Sequence, residues 1–181
     1  HYILDIYQLL QRYEELSKSA YEYSRGSIGD NQFRDEMREI RMQSGMKVCE
    51  SISTKKKKYL QAGTCFERMA KEFSNKKKLS ALAYINAADN YAKGKKGEKS
   101  LEMSNIVLRK YPGSKYEKKT LLVLASTYAD RAEFERSAKL YERYSRQYGK
   151  KPFSKRGKRS KETGTQHDFL LRAAALREAK G

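Results

Sequence analysis

Apolar residues recur every three to four positions along most of this chain, the spacing of one face of an α-helix. At the N-terminus this pattern predicts an amphipathic helix of more than five turns. Gly26 to Asp30 interrupts it with turn-forming residues, and Asp30 or Asn31 is placed to cap the next helix. We therefore predict a helical hairpin over residues 1–45; the alternative is a pair of interaction helices folded back onto the rest of the chain. The apolar positions are Ile3, Ile6, Leu10, Tyr13, Leu16 and Ala20 before the break, and Phe33, Met37 and Ile40 after it.

A second, longer period runs through the middle of the chain. Residues of the same kind return after 38 and then 37 positions, in four separate columns. Such self-similarity is typical of helical-repeat proteins, in which each repeat is one helical hairpin. The columns are Phe73, Tyr111 and Tyr148; Ala62, Ser100 and Ser137; Phe66, Ser104 and Tyr141; and Tyr91 with Tyr128, preceded by Ala88 and Ala125.

In these columns the sequence resembles the tetratricopeptide repeat, whose standard length is about 34 residues. That family places small residues where the two helices of a hairpin meet and aromatic residues between hairpins. The Lys-Tyr-Pro-Gly-Ser segment at residues 110–114 is similar to inter-repeat segments of bacterial envelope proteins, namely the outer-membrane barrel-assembly lipoprotein, the Tol–Pal coordinator and gliding-machinery relatives. The copy that matches best contains Leu121, Leu124, Ala125, Tyr128, Ala132, Phe134, Ser137 and Tyr141.

The resemblance implies an all-α fold, a right-handed α-solenoid of antiparallel helical hairpins. It also implies a domain organisation for the whole chain. After the diverged hairpin of residues 1–45, TPR-like repeats occupy 46–150 (46–80, 81–117 and 118–150), a basic loop follows at 151–165, and residues 166–181 form the first helix of a further, truncated repeat.

The last helix raises a packing question. Leu170, Ala173 and Ala174 stand at the core positions of a fresh repeat, but a second helix is missing. Terminal repeats normally need a polar cap. We expect the apolar stripe of this helix either to fold onto the preceding hairpin or to lie open.

Charge limits the choice of partner. The chain has 40 Lys and Arg against 22 Asp and Glu, a net charge of +18. Such a surface attracts nucleic acid, acidic proteins or anionic lipid, although a solvated helix surface is the simpler interpretation. Residues 150–161 hold seven basic and no acidic residues. A flexible inter-repeat loop is favoured there, with docking to an acidic partner or nucleic acid as alternatives; the candidate contacts are Lys155, Arg156, Lys158 and Arg159.

Little catalytic chemistry is visible. His1 and His167 are the only histidines, and no nucleophile–base–orienter set can be assembled. Cys49 and Cys65 have no metal-ligand spacing, so we expect buried free thiols, with a disulfide between antiparallel helices as the alternative. We expect no enzymatic activity, cofactor or metal. The longest apolar runs are about five residues, against the roughly 20 of a membrane-spanning helix.

These features favour a protein-binding scaffold, with a nucleic-acid-binding helical-repeat protein as the alternative. The expected partner is a protein or peptide, and an acidic one would suit the basic surface. A periplasmic or outer-membrane location is favoured by the resemblance, and a cytoplasmic one stays open. Repeat proteins bind along a concave surface, and the repeat register assigns to it Leu82, Ile85, Asp89 and Lys93 from one repeat and Lys119, Leu122, Ser126 and Asp130 from the next.

Overall fold

The chain is all-helical in residues 2–148 and 166–179, the part that its computed structural model describes. These residues form nine α-helices and no strand, which confirms the all-α prediction. No helix among them is long and apolar enough to cross a membrane. The predicted basic loop at 151–165 lies outside the described residues. The helices are α1 (Tyr2–Leu9), α2 (Tyr13–Arg25), α3 (Asn31–Thr54), α4 (Tyr59–Glu72), α5 (Lys77–Lys93), α6 (Gly97–Lys110), α7 (Glu117–Asp130), α8 (Phe134–Tyr148) and α9 (Gln166–Glu178).

Two compact units divide the chain, His1–Ala83 and Tyr84–Gly181. The first unit contains α1 to α4 and the start of α5, and the second contains the rest of α5 and α6 to α9. In the first unit α2 packs on α1 and α3, and α3 packs on α4. In the second, α7 packs on α6 and α8, and α8 packs on α9. Packing between consecutive helices in this way is consistent with a helical repeat.

The N-terminal hairpin differs from the one we predicted. Instead of one helix through residues 3–20, the chain turns back at Gln11, whose φ is +54°, and α2 follows. Leu4, Leu16 and Met37 form a buried cluster. An unbroken helix would hold Leu4 and Leu16 about 18 Å apart. The turn is therefore what brings both leucines onto the same methionine.

The predicted boundary between residues 45 and 46 is also wrong in position, because it falls inside α3. This helix runs unbroken for 24 residues. Asp30 caps it as predicted, since its carboxylate accepts a hydrogen bond from the backbone N–H of Phe33 at 2.8 Å. The second hairpin of the unit accordingly consists of the whole of α3 together with α4.

One type of turn joins the two helices of a hairpin at four places. Each turn contains a non-glycine residue in the left-handed region, a conformation that commonly ends helices. At three of them the next backbone N–H bonds to the carbonyl five residues earlier, at 2.8 to 2.9 Å. The left-handed residues are Gln11, Lys57, Lys95 and Ala132, and the last three are 38 and 37 positions apart, which is the period of the sequence columns.

Small residues line the contacts between helices as the columns predict. Ala62, Ser100 and Ser137 are all completely buried. Buried hydroxyl groups need hydrogen-bond partners. Ser137 donates to the backbone carbonyl of Ala125 at 2.7 Å, and the Ser100 hydroxyl lies 3.0 Å from that of Thr127. Serine therefore replaces alanine in the column without leaving its hydroxyl unsatisfied.

The two cysteines form a disulfide, which corrects the prediction of free thiols. Cys49 precedes the turn residue Lys57 by eight positions and Cys65 follows it by eight, so the antiparallel hairpin brings them opposite each other. Their Cα atoms are 5.5 Å apart. Gly45 permits a close approach in the same hairpin, because a Cβ there would lie 2.5 Å from Cε of Met69.

Helix α9 folds onto the preceding hairpin, the first of the two outcomes expected for it. Phe169 and Ala173 are buried against α8 with Leu176 packed beside them. Leu170 and Ala174, which the repeat register placed in the core, are exposed instead. The reason is geometric: contact with α8 buries the stripe i, i+4, i+7 that begins at Phe169, and the leucine next to it faces away.

Candidate partner-binding groove

An open groove of about 750 Å³ lies on the unit Tyr84–Gly181, between α7 and α9. It combines apolar and charged side chains in nearly equal measure. Four helices contribute to it: Asp89 from α5; Lys119, Leu122, Val123 and Ser126 from α7; Tyr141 from α8; and Asp168, Phe169, Leu171 and Arg172 from α9.

The structure brings together half of the eight residues that the repeat register assigned to a binding surface. Asp89, Lys119, Leu122 and Ser126 all line the groove. They do so because the same face of α5 and α7 is exposed to one side. For these four residues, the helical spacing in the sequence was a sufficient guide to their common location.

The other assigned residues have different surroundings. Ile85 is completely buried and belongs to the core, so its assignment to the binding surface is wrong. Lys93 forms an ion pair with Asp89 at 3.0 Å but does not line the groove. Asp130 forms an ion pair with Lys95, at the α5–α6 turn, also at 3.0 Å.

Two further groups of assigned residues fall elsewhere. Leu82 is half-buried and belongs to the unit His1–Ala83. Lys155, Arg156, Lys158 and Arg159 lie outside the described residues.

Asp89 is fixed between two lysines on one wall of the groove. Its carboxylate lies 3.0 Å from the Lys93 ammonium and 3.7 Å from that of Lys119. Lys119 also donates a hydrogen bond to the side-chain oxygen of Asn86 at 3.2 Å. One carboxylate facing two ammonium groups leaves an excess positive charge on this wall, and the Lys119 side chain is held in place before any partner arrives.

The opposite wall is α9, which we did not assign to the site from the sequence. Arg177 anchors this helix by bonding to Glu135 and Glu142 of α8. These bonds are the main reason that the pKa of both carboxyl groups is lowered. Arg172, by contrast, has no ion pair in the described part of the chain; its guanidinium lies 5.8 Å from the centre of the Phe169 ring. The two arginines of α9 therefore have separate roles.

Aromatic rings form the floor of the groove. The Phe169 ring lies 4.5 Å from that of Tyr144 and 6.2 Å from that of Tyr141, centre to centre. Tyr141 is only 8% exposed, yet it reaches the lining. No residue within 2–148 or 166–179 makes a hydrogen bond to its hydroxyl. This hydroxyl oxygen is not fully buried, so it can contact a molecule bound in the groove.

The repeat register did contain a signal for the α9 wall. Leu171 stands 49 residues after Leu122, and Asp168 stands 49 after Lys119, an offset lengthened by the intervening loop. In the same register Arg172 aligns with Val123, which also lines the groove, whereas Phe169 aligns with Thr120, which is completely buried. The place of Phe169 in the lining is found only once the packing of α9 on α8 is known.

Metal chemistry has no visible support in this part of the chain. Across residues 2–148 and 166–179, no group of three or more His, Cys, Asp or Glu side chains is arranged to hold a metal ion. Comparison with protein-family models, with curated proteins and with solved structures finds no match to this chain.

Proposed function

We propose that this chain is a non-catalytic protein–protein interaction scaffold that binds a partner protein or peptide in the groove between α7 and α9. The groove carries this proposal because it combines an apolar floor with charged walls, which suits a peptide in extended contact. Lys119 is already held in place by Asp89 and Asn86. Such preorganisation lowers the entropic cost of binding.

The same proposal includes the fold family, a right-handed TPR-like solenoid. Three observations support it: the 37- to 38-residue period, the left-handed residue that recurs at the hairpin turns, and the buried column of small residues. For location, we favour the bacterial envelope, in the periplasm or at the outer membrane. Disulfides persist in oxidising compartments and are rare in the cytosol, so the Cys49–Cys65 bond supports this location.

Site-directed photo-crosslinking tests the groove. A photoreactive benzoyl-phenylalanine at position 126, on the exposed α7 wall, should crosslink a protein from an extract of the source cells. The same amino acid at position 105, exposed on α6, is the matched control. Lys119→Glu and Arg172→Glu should each abolish the crosslink, whereas Lys110→Glu, at an exposed position outside the groove, should not. Equal crosslinking from positions 126 and 105 would show that the groove is not the binding site.

Nucleic-acid binding is the second candidate, and a specific observation favours it. Lys55, Lys57 and Lys58, and Lys76 to Lys78, are exposed and have no ion pair within the described part of the chain. Unpaired lysines are available to phosphate, and release of counterions would make such binding steeply salt-dependent. A mobility-shift assay with single- and double-stranded DNA and RNA at low and moderate salt decides the question. No shift at low salt with micromolar protein would eliminate this function.

A further inference from the structure

A second groove, of about 440 Å³, lies in the unit His1–Ala83 between α3 and α4. It is separate from the α7–α9 groove and shares no residue with it. Its walls are mostly apolar. Val48 and Ile52 line one side from α3, and Leu60 and Cys65 line the other from α4, with Arg68 at the far end.

A disulfide ties the two walls of this groove together. Cys65 lines the groove and is half-buried, and it is bonded to Cys49, which is completely buried in α3. The bond fixes the separation of α3 and α4 near the middle of the groove. The site is therefore formed before anything binds to it, which favours binding because little order has to be created.

Basic residues flank this groove. Arg68 belongs to its lining, whereas the lysines next to Leu60 are neighbours of the groove along the chain and do not line it. The α3–α4 turn places four consecutive lysines, 55–58, just before Leu60. Of these four, only Lys56 has an ion pair in the described chain, a long one of 3.8 Å to Glu14. At the far end of the groove, Arg68 is exposed and no carboxylate of residues 2–148 or 166–179 pairs with it.

Carboxylates on the same two helices do not cancel these charges. Glu50 is bound by Lys47 at 3.0 Å, and Glu67 is bound by Lys71 at 2.6 Å. The groove thus has an apolar centre, a positive charge in its lining at Arg68, and exposed lysines that follow α3 and precede Leu60. A complementary molecule would have an apolar centre and a negative charge at either end.

We propose that this groove, the α3–α4 groove, binds an acidic amphipathic segment of a partner protein. Lys58 and Arg68 are ten residues apart along α4, which corresponds to about 15 Å along the helix axis. A helical segment would therefore carry its acidic residues about ten positions apart, and an extended one about five apart. A large apolar side chain between them contacts Leu60, which is 41% exposed.

The shape favours a peptide over an anionic membrane. Insertion into a lipid surface needs apolar side chains that protrude, but Val48, Ile52 and Cys65 are recessed and half-buried. A groove between helices is instead the usual receptor for a single segment with regularly spaced apolar anchors.

Selection from a displayed library of random 16-residue peptides tests the proposal. The bait is the intact, oxidised chain, with counter-selection against the empty support. Enriched peptides should contain a large apolar residue flanked on both sides by Asp or Glu. By fluorescence anisotropy, Leu60→Asp and Arg68→Glu should each weaken an enriched peptide by roughly tenfold or more. Leu170→Asp is the matched control, because Leu170 is 42% exposed but lies in neither groove.

Reduction provides a second measurement on the unchanged sequence. Dithiothreitol should weaken peptide binding to the wild type and have no effect on a Cys49→Ala, Cys65→Ala variant, with circular dichroism used to verify helical content in each sample. Arg68→Glu keeps the test decisive if the reduced hairpin unfolds, because an exposed charge reversal leaves the core intact.

Several results would overturn the proposal. They are the absence of enriched peptides, enrichment without acidic residues, or equal binding to wild type and Leu60→Asp. Leu60-dependent binding to phosphatidylserine-containing vesicles but not to phosphatidylcholine vesicles, without peptide binding, would assign the groove to a membrane. A Leu60-dependent dimer in sedimentation velocity would assign it to a second copy of the chain. Lys119→Glu should leave peptide binding here unchanged, so this test and that of the α7–α9 groove fail separately.

Discussion

Ala132 occupies the left-handed region at the α7–α8 turn, with φ of +59°. A Cβ in that conformation costs roughly 1–2 kcal/mol, and the greater freedom of glycine in the unfolded chain offsets roughly 0.5–1 kcal/mol of that cost. We therefore expect Ala132→Gly to raise the free energy of unfolding by about 0.5–1 kcal/mol, as measured by urea denaturation. In the control Ala129→Gly, within α7, a fall of about 1 kcal/mol is expected. A fall in both variants would contradict the prediction.

Arg177 makes the docking of α9 depend on pH, because it binds two carboxyl groups of α8 that titrate in acid. Its hydrogen bonds hold the pKa of Glu135 and Glu142 below the ordinary value of 4.5. A lowered pKa in the folded state means that the stabilisation is complete above pH 4.5 and is lost as the pH falls through the folded-state value. We expect α9 to loosen in acid for this reason.

Carboxyl NMR titration measures this effect directly. In Arg177→Ala, the pKa of Glu135 and Glu142 should rise towards 4.5. Arg172 is the other arginine of α9 and has no ion pair among residues 2–148 and 166–179. In Arg172→Ala, the pKa values of both glutamates should therefore stay low. If both values stayed unchanged in Arg177→Ala, Arg177 would not be the group that stabilises these carboxylates.

At the scale of elements, the α3–α4 hairpin is the one with a covalent crosslink. Cys49 and Cys65 are 16 residues apart, and closing a loop of that size is worth about 3 kcal/mol through restriction of the unfolded chain. Cys49→Ala with Cys65→Ala should lower the free energy of unfolding by about that amount. Dithiothreitol should lower the wild type to the same level and leave the variant unchanged. An unaltered urea midpoint in fully reduced wild type would refute this.

Helices were predictable from the sequence where the apolar spacing is compatible with only one arrangement of the helices. Ala125 and Tyr141 are buried in α7 and α8 as the columns indicated, and Leu121 is buried as its place in the best-matching repeat copy indicated. The N-terminal pattern, by contrast, runs without interruption through Gln11 and gives no sign of the turn there. A helical period is compatible with a straight helix or with a folded-back pair, and only the shared contact with Met37 decides between them.

We predicted the candidate groove on one wall only, for a related reason. Helical spacing placed Lys119 and Leu122 on a common face, but it does not state which stripe of α9 packs on α8. The sequence shows Phe169 and Leu170 as adjacent apolar residues of similar size. Burial of the first and exposure of the second follow from the packing with Tyr141 and Tyr144, which no local pattern encodes.

At the scale of the whole molecule, the positive charge is unevenly distributed. The unit His1–Ala83 has 16 basic and 11 acidic residues, a net charge of +5. The unit Tyr84–Gly181 has 24 and 11, a net charge of +13. Self-repulsion destabilises a compact state and grows steeply with net charge, since every added charge interacts with all the others. The second unit therefore has more stability to gain from screening.

Salt should consequently stabilise the second unit more than the first. Raising NaCl from about 0.01 M to about 0.15 M shortens the Debye length from roughly 30 Å to 8 Å. Exposed ion pairs weaken as well, but each contributes only about 0–1 kcal/mol, so reduced repulsion should dominate where the net charge is +13. Hydrogen exchange should show a larger gain of protection in α6 to α8 than in α2 to α4.

NaF at equal ionic strength is the control and should act like NaCl, because screening depends on ionic strength and not on anion type. A larger gain in α2 to α4, or a loss of protection in α6 to α8, would mean that local ion pairs outweigh net charge in setting the stability of this chain.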